Sequence, residues 1–171
     1  AKGAAVNGLP VKKARELFGI VNLVFFSPED LNIIKNGPSE RRRFIDLELA
    51  QLDKLYLNDL ANYNRIINQR NRLLKDIYNR EDLISTLEIW DMQLAHYGKK
   101  VIERREKFIG EINEIIENVH GKLTDGKEHL SLSYEKSNGE IELMDAILKN
   151  RERDIRMKST SVGPHRDDIC F

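Results

Sequence analysis

The sequence contains very little cysteine, proline and glycine for its length. Among 171 residues there are 1 cysteine, 4 prolines and 10 glycines. Cys170 cannot form an intrachain disulfide on its own, so a reducing, cytoplasmic compartment is the simplest expectation. The scarcity of proline and glycine argues against a sandwich of many short strands. It favours long helices instead.

The sequence also lacks an excess of one charge and a long hydrophobic run. Basic and acidic residues both number 28, so no net field attracts DNA or an anionic membrane, and nucleic-acid binding would need local patches. The longest apolar run, residues 21–26, is far shorter than the ~20 residues of a membrane span. The first residues do not resemble a signal peptide. We therefore expect no membrane association.

Complete catalytic and metal-binding motifs are missing. Gly121 to Lys127 matches a phosphate-binding P-loop, but Glu128 stands where a Ser or Thr hydroxyl is needed, and the string follows a predicted helix instead of a strand. His165, Asp167 and Asp168 could ligate a metal, but no second group of ligands accompanies them. A hydrogen-bonded turn is the better interpretation. We expect no catalytic residue and no metal site.

The first third of the sequence predicts short elements. Asn7-Gly8 between apolar residues predicts a tight β-hairpin. Residues 11–18 predict a short helix ended by a glycine, and residues 20–26 predict a strand buried on both faces. Ser27-Pro28 then predicts a helix N-cap followed by proline at the first helical position.

Two long segments carry apolar residues at alternating steps of three and four. The first series is Tyr56, Leu60, Tyr63, Ile67, Arg70, Leu74 and Ile77. The second is Leu83, Leu87, Trp90, Leu94, Tyr97, Val101, Phe108, Ile112, Ile115 and Val119, with one seven-residue step across Arg105 or its neighbours. Because the break at 78–82 is short, the two helices should form an antiparallel hairpin. The basic stretch containing Arg104 and Arg105 predicts a solvated face.

The last third predicts a turn, a strand, a helix and a final strand. Residues 121–126 have turn chemistry, and residues 130–134 alternate as a half-buried strand does. Ser137 to Glu140 predicts a capping box that starts a helix over 141–157. The chain then turns at Gly163-Pro164 and stops within a strand. We expect this strand to pair with another chain or to be disordered, as in a piece of a larger domain.

Arg41, Arg42 and Arg43 follow Pro38, which predicts a helix start. Consecutive helical positions are ~100° apart, so the three side chains fan around the helix. At least one must face the protein body, where it needs a carboxylate or a phosphate. Two interpretations stay open: surface charges with one buried ion pair, or contact with the phosphates of nucleotide or DNA.

Taken together, several motifs resemble the RecF family of bacterial DNA replication and repair proteins. They are Val6 to Pro10, Leu23 to Leu31, Gly37 to Asp46, Tyr63 to Asn71, and Ser161 to Asp168. The resemblance runs in order from about residue 5 to residue 171. It implies an α+β, mostly α fold: part of an ABC-type, SMC-like ATPase head with an inserted antiparallel helical-hairpin lid and a few flanking strands.

The resemblance also implies domain boundaries and a function. Residues 1–53 would end the first ATPase lobe, residues 54–120 would form the lid, and residues 121–171 would lead into the second lobe. RecF-like proteins bind ATP and Mg²⁺, dimerise on DNA (double-stranded, gapped or single-stranded), and act with RecO and RecR to load recombinase at gaps in recombination, replication restart and the SOS response. The Walker A, signature and Walker B motifs are absent from residues 1–171, so this stretch alone should be inactive as an ATPase.

The resemblance and the residue chemistry together give three groups of candidate residues. Those expected near the nucleotide are Ser27, Pro28, Glu29 and Asp30. Those expected to contact DNA or a neighbouring subunit are Arg41, Arg42 and Arg43. Those expected to form a structural motif are Gly163, Pro164, His165, Arg166, Asp167 and Asp168. The competing interpretations are a coiled-coil module that binds protein partners without nucleic acid, and a metal-dependent hydrolase built on the last group.

Overall fold

The described chain consists mainly of helices, with two pairs of short antiparallel strands. A computed structural model describes residues 4–17, 20, 27–77 and 80–171. The elements are β1 (Ala4–Val6), β2 (Leu9–Val11), α1 (Asn32–Lys35), α2 (Pro38–Leu52), α3 (Lys54–Ile77), α4 (Leu87–Leu123), β3 (Ser133–Glu135), α5 (Leu143–Lys149), α6 (Arg151–Met157) and β4 (Asp168–Cys170). Short 3-10 helices cover Ala14–Leu17, Pro28–Leu31 and Glu81–Thr86. The predicted mostly α fold class is confirmed.

The N-terminal hairpin has the predicted turn. Strands β1 and β2 pair with Val6 opposite Leu9, and Asn7 and Gly8 have φ values of 51° and 82°. Positive φ at both central residues is the geometry that an Asn-Gly hairpin turn requires. The sequence therefore identified this element and its turn correctly.

The segment after the hairpin differs from its prediction. Strand β2 extends to Val11, and only Ala14–Leu17 is helical, as a single 3-10 turn. The predicted helix over 11–18 is therefore wrong over most of its length. Pro10 lies in β2, an edge strand of a two-stranded sheet, and does not open a helix. The predicted strand over 20–26 lies outside the described residues except for Ile20.

Helices α3 and α4 form the predicted antiparallel hairpin. Asp59 lies 3.6 Å from Lys100, and Arg70 lies 2.7 Å from Asp91, so pairing residues descend along one helix as they ascend along the other. Most of the predicted apolar positions on α3 are buried, with Leu60 partly so. The hairpin follows from a periodic apolar stripe on each helix and from the short connection between them.

The far end of α4 does not follow the prediction. Ile115 and Val119, predicted to lie in the seam, are exposed. Arg105 contacts Tyr56, which lies near the start of α3, so the part of α4 beyond Arg105 extends past its partner helix. Beyond Arg105 the helix is therefore packed only in part: Ile109 lies in the main core, whereas Ile115 and Val119 continue the apolar series on an exposed face.

The main core lies where this hairpin meets α2, α5 and β4. Its buried members include Ile45, Leu49, Tyr56, Tyr63, Ile66, Leu94, Val101, Ile109, Leu143, Ile147, Val162 and Ile169. A smaller cluster of Leu74, Ile77 and Leu87 closes the hairpin near its tip. Residues of α2, before the hairpin, and of α5 and β4, after it, therefore pack on the same part of the hairpin.

The C-terminal region contains two corrections. Residues 141–157 are not one helix: α5 begins at Leu143, and α6 follows a break at Asn150, whose side chain donates to the Ala146 carbonyl at 2.8 Å. The final strand has a partner within the chain, since β4 pairs antiparallel with β3. The expectation that it would pair elsewhere or be disordered is therefore wrong.

Candidate functional site

Arg41 on α2 is held by Asp168 at the start of β4. Its Nε donates to Asp168 Oδ1 at 2.7 Å and its Nη2 donates to Oδ2 at 2.8 Å. Its Nη1 donates to the Asn36 carbonyl at 2.8 Å, so the guanidinium also closes the end of α1. Hydrogen bonds from Arg41 lower the pKa of Asp168 below its usual value. Arg41 is thus the ion-paired member that the sequence required of this arginine cluster.

Arg42 and Arg43 are placed differently from Arg41. Arg42 Nη1 donates to the backbone carbonyl of Asp167 at 2.6 Å, and Arg43 is exposed. Within the described residues, neither forms a salt bridge with a carboxylate. Partial burial and the nearby charge of Arg105 lower the pKa of Arg42 below its usual value. Arg42 and Arg43 thus have no carboxylate at ion-pair distance among the described residues, although Asp46, Asp167 and Asp168 lie near enough to act on the charge of Arg42.

A buried arginine from α4, Arg105, joins the hairpin to the rest of the protein. Its side chain is 2% exposed. It donates to Asp46 Oδ1 at 2.7 Å, to Tyr134 Oη at 3.2 Å and to the Pro164 carbonyl at 2.7 Å. Asp46 also accepts a hydrogen bond from Tyr56. The prediction of a solvated face is therefore wrong at Arg105. Its guanidinium is buried, and these acceptors supply the hydrogen bonds that a buried charge needs.

Asp167 anchors the C-terminal motif, Gly163–Asp168, through both of its carboxylate oxygens. Its Oδ2 accepts from Tyr134 Oη at 2.6 Å, and its Oδ1 accepts from the Ser137 backbone N–H at 2.7 Å. Ser137 Oγ also accepts from the Gly163 N–H at 2.8 Å. The capping box predicted at Ser137 is therefore wrong, since its backbone and hydroxyl are engaged by the motif and not by a helix start.

His165 is bonded on both sides of its ring. Its Nε2 lies 3.1 Å from the Thr160 carbonyl and its Nδ1 lies 2.6 Å from Tyr63 Oη. A carbonyl can only accept, so Nε2 carries the proton and Nδ1 accepts from the tyrosine. Burial lowers the pKa of His165 to about 4. The imidazole is therefore neutral at pH 7, and neither ring nitrogen has a free lone pair for a metal.

Further along the hairpin, Arg70 forms a second buried ionic cluster. Arg70 is fully buried and donates to Asp91 Oδ1 at 2.7 Å, to Asp154 Oδ2 at 2.7 Å and to Thr160 Oγ1 at 2.8 Å. Arg151 donates to the other oxygen of Asp91 at 2.7 Å. These contacts join α3, α4, α6 and the segment that leads to the C-terminal motif.

Ser27 to Asp30 form a capped turn at the start of the helical region. The Ser27 N–H donates to Asp30 Oδ2 at 2.6 Å, and the Asp30 N–H donates to the Ser27 carbonyl at 3.0 Å. Pro28 and Glu29 are exposed. Asp30 and Arg41 line one cavity, whereas Arg42 and Arg43 line another that none of these four residues borders. The structure therefore brings this group near Arg41 but not into the cavity of Arg42 and Arg43.

Two cavities border α2. The first, of about 390 Å³, lies between α2 and α3 and includes Arg42, Arg43 and His165 in its wall. The second, of about 640 Å³, is an apolar groove that includes Phe44, Ile112 and Phe171, with Asp30 and Arg41 at its edge. Among the described residues, no group of three or more His, Cys, Asp or Glu side chains is arranged to hold a metal ion. The first cavity is the one whose wall contains arginines, Arg42 and Arg43, with no carboxylate at ion-pair distance among the described residues.

Sequence reasoning missed the acceptors in these clusters. Asp46 and Tyr134 were not singled out, and Asp91 was not recognised as buried. Two signals pointed to the arginines themselves: Arg70 occupies an apolar position of its series, and Arg105 falls in the single seven-residue step of the other. A charged residue in an otherwise apolar stripe signals a buried ion pair, but its partners 21 and 59 residues away carry no such mark.

No model of a protein family matches the chain. Curated relatives described as DNA replication and repair protein RecF match it along its whole length. The relative from Agathobacter rectalis is 61% identical over 171 residues, which cover 100% of the chain and 47% of the relative. The relative from Lachnoclostridium phytofermentans is 57% identical over 170 residues, covering 99% and 47%. The chain belongs to the RecF family.

RecF from Clostridium tetani is 42% identical over 179 residues, and the chain spans about half the length of the curated relatives it matches. A solved structure of the recombination mediator protein RecF-ATPrS in the RecFOR pathway has a TM-score of 0.87 and 34% identity, covering 96% of this chain and 47% of that one. A RecF-ATP structure from the same pathway has a TM-score of 0.86 and 36% identity, covering 99% and 48%.

These likenesses confirm the fold expected from the RecF resemblance. The helical hairpin with its flanking short strands is the mostly α part of an ABC-type ATPase. In the described part of the chain, no helix combines the length and the apolar character of a membrane-crossing segment.

Proposed function

We propose that this RecF-family chain belongs to an ATP-dependent DNA-binding protein that acts in recombinational repair and replication restart. With RecO and RecR, the complete protein would load recombinase at gapped DNA as an ATP-dependent homodimer. The single observation that carries this proposal is identity of 61% with a DNA replication and repair protein across all 171 residues. All five motifs of the sequence resemblance lie within that span.

We propose the division of the chain that the RecF resemblance implies. Residues 1–53 would end the first ATPase lobe, residues 54–120 would form the helical lid, and residues 121–171 would lead to the second lobe. The buried clusters around Arg105 and Arg70 support a lid fixed to both flanking regions. Each contains charges that are costly to separate, because removing one partner leaves the other buried and unpaired.

We place the DNA or subunit contact on Arg42 and Arg43 and not on Arg41. Asp168 already neutralises Arg41. Arg43 is exposed, and within the described residues it has no carboxylate partner, so its charge is available to phosphate. Arg42 is partly buried, with one of its nitrogens committed to the Asp167 carbonyl and with Asp167 and Asp168 nearby, so it would be the weaker contact of the two. This placement narrows the sequence expectation from three arginines to two.

ATP with Mg²⁺ would be the cofactor of the complete protein. The support comes from the solved RecF structures that are described with ATP and ATPrS. Ser27, Pro28, Glu29 and Asp30 stay the candidates for proximity to nucleotide, as a capped turn held by its own backbone. Residues 1–171 contain no Walker A motif, so the phosphate-binding loop itself would come from elsewhere in the protein.

Binding of gapped duplex DNA at a series of salt concentrations tests the proposal. Phosphate contacts release counterions, so the logarithm of the binding constant should fall linearly with the logarithm of salt concentration. The alternative is a coiled-coil module that binds only protein partners, which the exposed apolar residues Ile115, Val119 and Leu123 on α4 favour. Absence of DNA binding, or binding indifferent to salt, would support that alternative.

A further inference from the structure

The cavity between α2 and α3 combines a positively charged rim with an apolar floor. Ser39, Arg43 and Leu47 recur every four residues and therefore lie on one face of α2. Arg42 and Arg105 add two more cations to the wall, against the single carboxylate of Asp46. Asp46 and Arg105 already satisfy each other. Arg43 then remains as a cation without a carboxylate partner among the described residues, and Arg42 as a cation with Asp167 and Asp168 nearby but not at ion-pair distance.

The floor of this cavity, which we name the α2–α3 pocket, is mostly apolar. Leu47, Ala50, Leu57, Leu60 and Tyr63 supply it. Its volume, about 390 Å³, lies within the roughly 300–1,000 Å³ of sites that bind small molecules. Such sites typically combine apolar walls with a few placed polar groups. The pocket therefore suits a ligand that carries an anionic group and an apolar, flat body together.

The ring of His165 constrains the ligand further. His165 borders the pocket as a neutral imidazole, with both nitrogens committed to Tyr63 and Thr160. It therefore offers surface and not charge to the pocket. Recognition of the anion falls to the guanidinium groups, which can donate paired hydrogen bonds to phosphate oxygens. Asn64, exposed at the rim on α3, adds a side-chain amide.

We propose that the α2–α3 pocket binds one nucleotide unit, with its phosphate on Arg42 and Arg43 and its base on the apolar floor. The inference deepens the proposed DNA contact and rests on it. A base within a duplex is stacked and paired, so only an unpaired nucleotide of a single strand, or a free nucleotide, can enter. The pocket would thus distinguish single-stranded from double-stranded regions without reading the sequence.

Binding of thymidine monophosphate, measured by calorimetry, tests the pocket. The variant Arg43→Gln should weaken binding by about tenfold, as expected for loss of a charge-assisted hydrogen bond. Asn64→Trp should also weaken it by filling the rim without changing charge. The matched control Arg72→Gln removes an exposed arginine from α3 and should leave binding unchanged. Perturbed Nε–H signals of Arg42 and Arg43 in NMR spectra would place the ligand.

Further probes distinguish a DNA strand from a free nucleotide as the ligand and define the results that would overturn the inference. Thymidine without phosphate and inorganic phosphate should each bind at least about tenfold more weakly than the monophosphate. Thymidine lacks the anionic group that the arginines would bind, and inorganic phosphate lacks the base that the apolar floor would hold. A short single-stranded oligothymidine that binds more tightly than the monophosphate identifies a DNA strand as the source; equal or weaker binding identifies a free nucleotide. Equal binding of all three small probes, or equal binding by all variants, overturns the inference.

The same preparations should be tested with duplex DNA to keep the two proposals apart. Salt-dependent duplex binding together with no nucleotide binding would overturn the pocket and leave the proposed function standing. Nucleotide binding that depends on Arg43, together with no binding of gapped or duplex DNA, would overturn the proposed function and leave the pocket standing.

Discussion

Arg41 and Asp168 lie 127 residues apart and form a two-bond ion pair between α2 and β4. One residue belongs to the arginine cluster and the other to the Gly163–Asp168 motif, and both lie in stretches that resemble RecF. The pair is accompanied by the hydrogen bond from Arg42 to the Asp167 carbonyl. The two motifs therefore form one structural unit that joins the segments on either side of the hairpin.

A double-mutant cycle on this pair should reveal direct coupling. We expect Arg41→Gln and Asp168→Asn to be non-additive by about 1–2 kcal/mol in the free energy of unfolding, since the bonds are charge-assisted and partly buried. Chemical denaturation of the four proteins measures this. Additive effects would mean that the contact contributes no stability of its own.

Arg70→Met should be among the most damaging single substitutions. It leaves Asp91 and Asp154 buried without their shared cation, for which we expect a loss of about 3–5 kcal/mol in the free energy of unfolding. The control Arg72→Gln, two positions away on the exposed face of α3, should change it by less than about 0.5 kcal/mol. Urea denaturation measures both. A loss below about 1 kcal/mol for Arg70→Met would contradict the buried network.

The neutral state of His165 predicts a pH dependence of stability. Its pKa is about 4 in the folded chain, against about 6.5 when unfolded. The unfolded chain therefore binds the additional proton between these values, so stability is full above pH 6.5 and falls as the pH drops toward 4. Between pH 7 and pH 5 this group should remove about 2 kcal/mol.

The variant His165→Gln isolates that contribution. Glutamine can still donate to the Thr160 carbonyl but cannot titrate, so its unfolding free energy should fall less between pH 7 and pH 5 than that of the unmodified chain. Denaturation curves at several pH values measure the difference. Parallel pH profiles for the two proteins would show that His165 does not titrate as its surroundings require.

Gly163→Ala should destabilise the C-terminal motif through sterics and backbone strain. Gly163 has φ of 121°, and an added Cβ would lie 2.6 Å from Tyr63 Oη, the partner of His165. Gly126 is the control: its φ is also positive, at 71°, but no atom lies within 4 Å of an added Cβ. Gly126→Ala should cost about 1 kcal/mol from strain alone, and Gly163→Ala should cost about 2 kcal/mol more. Equal thermal shifts would contradict the close approach.

The hairpin was predictable from sequence because its signals are local and repeated. An apolar stripe along α3 and a matching stripe along α4, joined by a short break, leave little freedom in how the helices pair. The Asn7-Gly8 turn was equally local. Where packing ended, prediction failed: Ile115 continues the stripe of α4 but is exposed.

The candidate site was predictable in part, and the missing part is long-range. The sequence marked Arg41, Arg42 and Arg43 and required an ion pair for one of them. It could not choose which one, because the answer depends on where Asp168 lies in the folded chain. The local sequence predicts a helix cap at Ser137. In the structure its hydroxyl instead accepts a hydrogen bond from Gly163, 26 residues later.

The salt dependence of DNA binding by the protein and its Arg43→Gln variant tests the central claim most directly. If Arg43 contacts phosphate, the plot of log binding constant against log salt should have a negative slope, reduced in magnitude by about one in Arg43→Gln. Arg72→Gln should retain the original slope. Identical slopes for Arg43→Gln and the unmodified protein, or no DNA binding by the unmodified protein, would contradict the account.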